Sequence, residues 1–304
     1  MLTERPYDVF PIRQTTWSAR YVNKCLTISM LTLLGCAGLS ACSRSQEGVL
    51  TIKGSDTMVD LVSLWNEAYA KAKPDVQIAL SGGGSGTGIA ALINSTTDLC
   101  MSSRDLKDEE REQAKAQGKE LIEHAVAMDG LAIIANPANP IASLTIEQLG
   151  KIYTGAYTNW SQLGGPDQPI QVLSRAPSSG TYLFFQEHVM DGKDYAEHAR
   201  LLPATSGIVQ SVTTDSGAIG YVGLGYAESA GDGIKVLPIL KEEGSPPVLP
   251  TVETVHSGEY PIARKLFFIT AGAPTQAQQD FLAFCTGADG RTIVEKSGYV
   301  TLPQ

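Results

Sequence analysis

Cysteine is scarce in this sequence: five of 304 residues, three of them (Cys25, Cys36, Cys42) inside the first 42. A disulfide-stapled scaffold is therefore excluded. Cys100 and Cys285 lack the short spacings of a metal site, and their separation says nothing about pairing, so both are expected to be buried small hydrophobes. Histidine is as sparse. His124, His188, His198 and His256 form no His-x-x-x-His or similar cluster, and neither metal nor cofactor is expected. Positive charge is short as well, with 23 Lys and Arg against 32 Asp and Glu. Long apolar runs are missing too: the best, Cys25 to Leu39, is shorter and richer in small residues than a membrane span of about 20 residues requires.

That run, flanked by Arg20 and Lys24, reads as the apolar core of an export signal covering residues 1–42. It closes on Leu39-Ser40-Ala41-Cys42, which resembles a bacterial lipobox, in which the cysteine is lipidated and becomes the new N-terminus. Cys42 is then a membrane anchor and residues 43–47 a polar tether; a plain signal peptide cut near Ala41 is the alternative. Removing the leader takes four basic and two acidic side chains from the totals and leaves a net charge of −11. A nucleic-acid partner is not expected. An anionic ligand would need local dipoles and buried arginines, because the overall field repels it.

The remainder alternates between strand and helix patterns. Val49 to Lys53 reads as a strand, then Gly54-Ser55-Asp56-Thr57 turns into a helix with apolar residues at Met58, Leu61, Val62, Trp65, Ala68 and Tyr69. Val76 to Leu80 is a second strand, followed by Gly-rich Ser81 to Gly88 and a helix. Leu99 to Met101 runs into Ser102-Ser103-Arg104-Asp105 and a charged helix. Gly130 to Ala135 looks like a crossover strand; Ile170 to Ser174 leads into Arg175 to Thr181 and another helix; Ala218 to Gly223 and Ile234 to Ile239 are strands; and Lys265 to Ile269 is a strand returning to the first domain. The pattern predicts an α/β fold with a largely parallel sheet, whose ligand site lies at the carboxyl ends of strands.

Four polar turns stand at such ends. Each offers unpaired N–H groups, hydroxyls and the positive end of a helix dipole, which suit an oxyanion. One turn means little, since Ser and Thr are ordinary helix caps. Four of them, two beside arginines (Arg104 and Arg175), point to a tetrahedral anion held by forked donors. Enzyme motifs fail. Gly83-Gly84-Ser85-Gly86-Thr87 lacks the last glycine of a nucleophile elbow, Ile89 stands where a phosphate-binding NTPase loop needs lysine, and Thr87 breaks Gly-x-Gly-x-x-Gly.

The motifs GSDTM (54–58), GGGSGTGI (82–89), SSRD (102–105), LTIEQLGKIYTGAYTNW (144–160), RAPSSGT (175–181), GAIGY (217–221) and YPI (260–262) together resemble the periplasmic phosphate-binding proteins of phosphate ABC importers, within the type II periplasmic-binding-protein superfamily. The resemblance implies a two-lobe Venus-flytrap fold with a doubly crossed hinge, and a monomer that hands inorganic phosphate to permease subunits without covalent chemistry. The expected lobes are residues 48–129 with 257–304, and residues 130–256. It implies phosphate contacts from Thr57, the Met58 amide, Ser85, Ser103, Arg175, Ser179, Gly180 and Thr181, with Arg104 added from its place beside Ser103. Well-known members carry aspartate at the positions of Ser103 and Pro177, the first accepting the proton of hydrogen phosphate. Here Asp56 or Asp105 is expected to accept it. A cell-surface sensor or adhesin of the same fold, or a receptor for another tetrahedral oxyanion, is the alternative.

Overall fold

The computed structural model describes residues 48–303; the expected leader, Cys42 and the tether lie outside the described residues. The first unit is β1 (Leu50–Gly54), α1 (Val59–Ala72) and β2 (Ile78–Ser81). Residues Leu50, Ile52 and Gly54 of β1 are buried in alternation, as a half-covered strand requires. Helix α1 turns Leu61, Val62, Trp65 and Tyr69 inward, one apolar stripe at helical spacing. Trp65 is fully buried and its indole N–H donates to the Gly290 carbonyl at 3.0 Å, so its one polar atom is satisfied. Burial of such a side chain contributes ~1.5–3 kcal/mol.

Next come α2 (Ser85–Ile93), β3 (Leu99–Ser102), α3 (Asp108–Ala116) and the 15-residue β4 (Leu121–Ala135). Gly88 of α2 is required by close approach: a Cβ there would sit 2.5 Å from the Lys53 carbonyl and 2.6 Å from Gly54 Cα. Its absence lets the helix lie on β1. β5 (Leu144–Thr145), α4 (Ile146–Tyr153), β6 (Gln171–Arg175), α5 (Gly180–Val189), β7 (Arg200–Leu202), α6 (Thr205–Thr214), β8 (Ala218–Gly223) and α7 (Leu224–Ala230) follow. β9 (Lys235–Leu237), β10 (Ile239–Leu240), α8 (Val252–His256), β11 (Ala263–Ala271), α9 (Gln276–Thr286) and α10 (Ala288–Lys296) complete the order.

The main sheet runs β2-β1-β3-β11-β4-β8-β6-β7, with β9 also on β4. Its flanks are parallel, β1 with β2 and β3, and β6 with β7 and β8. Its centre is antiparallel, where β11 lies between β3 and β4. Residues 121–130 of β4 pair with β11, whereas residues 131–135 pair with β8 and β9. The core divides at the same place. Val126 and Ala127 pack with Trp65, Phe268 and Phe281, while Leu131, Ile133 and Ala135 pack with Trp160, Phe185 and Tyr221.

The expected crossover strand thus begins nine residues earlier, at Leu121 rather than Gly130. Helix α2 likewise starts inside the Gly-rich segment, at Ser85. The thiols of Cys100 and Cys285 are free and buried, in separate core clusters, and burial pushes both well above the usual thiol range. No helix among the described residues is long and apolar enough to cross a membrane.

Candidate oxyanion site

The four turns meet. At the end of β1, Gly54 adopts φ +147°, and a Cβ would lie 2.1 Å from the Met101 carbonyl. This crossing brings the turn after β1 against β3. A short 3-10 turn, Asp56–Met58, then buries Thr57 and Met58. The Met58 amide, expected to face the anion, is taken up by the Ser55 carbonyl at 3.1 Å.

After β2, Gly83 and Gly84 carry φ of +115° and +102°, a conformation that side chains other than glycine's rarely adopt. The Gly84 amide donates to the Gly54 carbonyl at 2.8 Å and the Gly86 amide to the Ser178 carbonyl at 3.0 Å. The second bond joins the α2 opening to the α5 opening, two turns 92 residues apart in sequence. Ser85, the first residue of α2, is fully buried, and its Oγ accepts from the Ser103 amide at 3.1 Å and lies 3.4 Å from Ser103 Oγ. Ser85 therefore faces another hydroxyl rather than a base, which removes the geometry a serine nucleophile needs.

The α5 opening closes the group. A Cβ on Gly180 would lie 2.3 Å from Ser85 Oγ and 2.8 Å from Ser103 Oγ, so this glycine lets both hydroxyls reach the helix N-terminus. Next to it, Thr181 Oγ1 is 2.9 Å from Thr57 Oγ1. Ser179 caps the helix by accepting from the Tyr182 amide at 3.4 Å. Thr57, Ser85, Ser103, Gly180 and Thr181 thus form one contiguous buried group, drawn from four helix or strand ends.

The two arginines behave differently. Arg175 is buried, and its guanidinium donates to Thr205 Oγ1 at 2.6 Å and to the Pro203 carbonyl at 2.8 Å, while Nη2 lies 3.2 Å from Asp56 Oδ2. Burial pushes its pKa down, and Asp56 opposes that shift. Arg104 spends its terminal nitrogens on Glu110, at 2.9 and 2.6 Å, and on the Asp105 carbonyl at 2.7 Å; its Nε is buried without a partner.

Of the two expected proton acceptors, one has an oxygen already committed and the other faces solvent. Asp56 Oδ2 accepts from the Thr205 amide at 2.7 Å and from Thr205 Oγ1 at 3.0 Å besides facing Arg175, and Asp105 is exposed. Asp56 instead supplies the carboxylate that the resemblance places at Pro177.

Sequence reasoning missed Thr205, Asp129 and Arg264. Asp129 and Arg264 face each other across the β4–β11 ladder and form a buried ion pair at 2.8 Å. Arg264 Nη1 also donates to Thr181 Oγ1 at 3.1 Å. Their signal was a charged residue inside each of two apolar strand patterns, which is costly unless the two are paired.

Comparison with known proteins gives a consistent picture. Residues 40–289 match the model of the PBP superfamily domain. The phosphate-binding protein PstS of Pseudomonas aeruginosa is 31% identical over 273 residues, covering 84% of each chain. That of Bacillus subtilis is 34% identical, covering 83% of this chain and 80% of its own. Among solved structures, a putative phosphate ABC transporter substrate-binding protein with bound phosphate, from Clostridium perfringens, matches with TM-score 0.76 and 31% identity, over 84% of this chain and all of that one. An ABC-type phosphate transport receptor from Vibrio cholerae matches with TM-score 0.67 and 29% identity, over 83% and 99%.

Proposed function

The chain belongs to the PBP superfamily and, within it, to the phosphate-binding proteins PstS; from that footing we propose that it captures inorganic phosphate outside the cytoplasm and delivers it to the permease of an ABC importer. The observation that carries this reading is the buried convergence of Thr57, Ser85, Ser103 and Thr181 hydroxyls on the Gly180 helix opening. Hydroxyls and helix amides there are donors suited to a tetrahedral anion stripped of water. Arg175 stands behind them with its charge met by Asp56, so the site attracts by hydrogen bonding rather than by net charge, in a protein whose overall field is negative.

The two lobes are residues 48–129 with 257–304, and residues 130–256; β4 and β11 are the strands on which they close. Capture and release need no covalent step, so the protein acts as a carrier and not as an enzyme. Ser179 holds the α5 opening, and Arg104 offers its one unpartnered donor, Nε. With Asp56 Oδ2 committed to Thr205 and Arg175 and Asp105 exposed, the Ser103 hydroxyl takes over as acceptor for the proton of hydrogen phosphate, which a hydroxyl does at no cost in charge. Cys42 carries the lipid that ties the protein, as a monomer, to the membrane.

Thermal unfolding in rising phosphate tests the reading. A ligand that binds only the folded state stabilises it by RT ln(1 + [L]/Kd), so the midpoint should climb with the logarithm of phosphate concentration. A midpoint indifferent to phosphate up to millimolar concentrations would contradict it.

A further inference from the structure

The Arg264–Asp129 pair has no task in phosphate capture as described so far. It is nevertheless among the most buried charge in the protein, with Arg264 at 5% relative exposure and Asp129 at 0%. Arg264 Nε and Nη2 reach Asp129 Oδ2 at 3.2 and 2.8 Å, and the Leu224 amide donates to Oδ1 at 3.0 Å. The guanidinium also lies over the Phe184 ring, 5.4 Å from its centroid. Asp129 and Phe184 therefore fix its orientation, and one nitrogen, Nη1, is left to point at Thr181 Oγ1.

A guanidinium can only donate, so the direction of that bond is settled. One lone pair of Thr181 Oγ1 is filled by Arg264, and the hydroxyl proton must go elsewhere. Its other neighbour is Thr57 Oγ1 at 2.9 Å. Either Thr181 donates to Thr57, which then donates outward, or Thr57 donates to Thr181, whose own proton points outward. In both arrangements the pair presents a proton to the ligand. Tyr299 holds Thr57 in place by donating to its carbonyl at 2.5 Å.

We propose that Arg264 is a positioning residue that biases the hydrogen-bond polarity of the cleft: by filling a lone pair of Thr181 Oγ1 it leaves the Thr181–Thr57 pair one acceptor site fewer and a proton to give, so that this side of the site favours unprotonated oxyanion oxygens. The proposal rests on the oxyanion reading of the cleft. It implies a division of labour, with the Thr57 and Thr181 side favouring bare oxygens and a ligand proton better placed on the side of Ser85 and Ser103. Loss of Arg264 would free a lone pair on Thr181, which a protonated phosphate can use and sulfate, having no proton, cannot.

The test is a double-mutant cycle on the full chain, read by titration with phosphate and with sulfate at fixed pH. Arg264→Gln combined with Asp129→Asn removes the charge without stranding a buried carboxylate. It should weaken phosphate binding by roughly ten- to a hundred-fold, as for a lost charge-assisted bond, and should weaken sulfate more. In a Thr181→Val background the same change should cost less than about three-fold, because the residue through which Arg264 acts is gone. Arg264→Lys, which keeps Asp129 paired but gives up the fork, covers the case in which the neutral pair fails to fold; it should shift the phosphate-to-sulfate ratio the same way. Equal losses for both anions, additive with Thr181→Val, would overturn the role of Arg264 alone. A wild-type chain that binds no phosphate would remove the oxyanion reading and this role with it.

Discussion

Asp56 Oδ2 lies 3.2 Å from Arg175 Nη2, and the two residues come from opposite sides of β4 in the sheet order, Asp56 following β1 and Arg175 ending β6. The Thr205 amide and hydroxyl donate to the same oxygen. A cation whose counter-ion arrives from the other side of the sheet is neutralised only while the two sides are together. Arg175→Ala should therefore cost on the order of 1.5–3 kcal/mol or more in phosphate affinity, since it removes the charge-assisted bonds by which Arg175 ties Thr205 and Asp56 behind the site and leaves Asp56 with only neutral partners. Titration calorimetry on the variant measures this, and unchanged affinity would refute the role given to Arg175.

Gly180 permits the closest approach in the site. In Gly180→Ala the added methyl would fall 2.3 Å from Ser85 Oγ. Alanine's greater helix preference offsets part of the strain of that contact, so the fold should be retained. Phosphate affinity should fall by at least about ten-fold as Ser85 and Ser103 are pushed from the α5 opening, each displaced hydrogen bond being worth about 0.5–1.5 kcal/mol. A variant with a normal melting temperature and normal affinity would show that the hydroxyls do not serve the ligand.

Cys100 and Cys285 should behave as inert core residues. Both are buried and free, and burial holds both thiols protonated at neutral pH. A thiol reagent should label neither in the native protein and both after denaturation, and a reductant should leave the melting temperature unchanged. Rapid native labelling of either would contradict the packing described here.

Acid should weaken the fold through His124. Burial lowers its pKa below the ordinary value of about 6.5, with Nε2 set 3.0 Å from Thr270 Oγ1 on β11. The unfolded chain then binds the proton more readily than the folded one. The contribution of this residue is fully present above about pH 6.5 and is lost as pH falls through the lowered folded value. His124→Gln should flatten that part of the stability profile, as read from urea midpoints at a series of pH values; an unaltered slope would rule His124 out.

Much of the site was legible because its chemistry is local. Glycine, serine and threonine at strand-to-helix junctions announce both the turn and the donors, and the four turns were read from such junctions, whereas the choice of Thr57, Ser85, Ser103, Gly180 and Thr181 within them came from the family resemblance. Strand β8 was legible to the residue, since Ala218 to Gly223 is a short apolar run closed by glycine. The first half of β4 was not, because Glu123, His124 and Asp129 interrupt its apolar pattern. Helix α6, with Ser, Gly, Val and three Thr in ten residues, is poor in helix formers and was missed. With it went Thr205, the residue that reaches Asp56. Partnerships were the hardest to read: the Asp129–Arg264 pair depends on a ladder register between strands 135 residues apart, which no local pattern encodes.

The measurement that bears most directly on the account is titration calorimetry of the protein with phosphate, repeated in the presence of excess sulfate. A single phosphate site that sulfate fails to displace is the predicted result. No heat of phosphate binding, or displacement by sulfate at matching concentration, would contradict it.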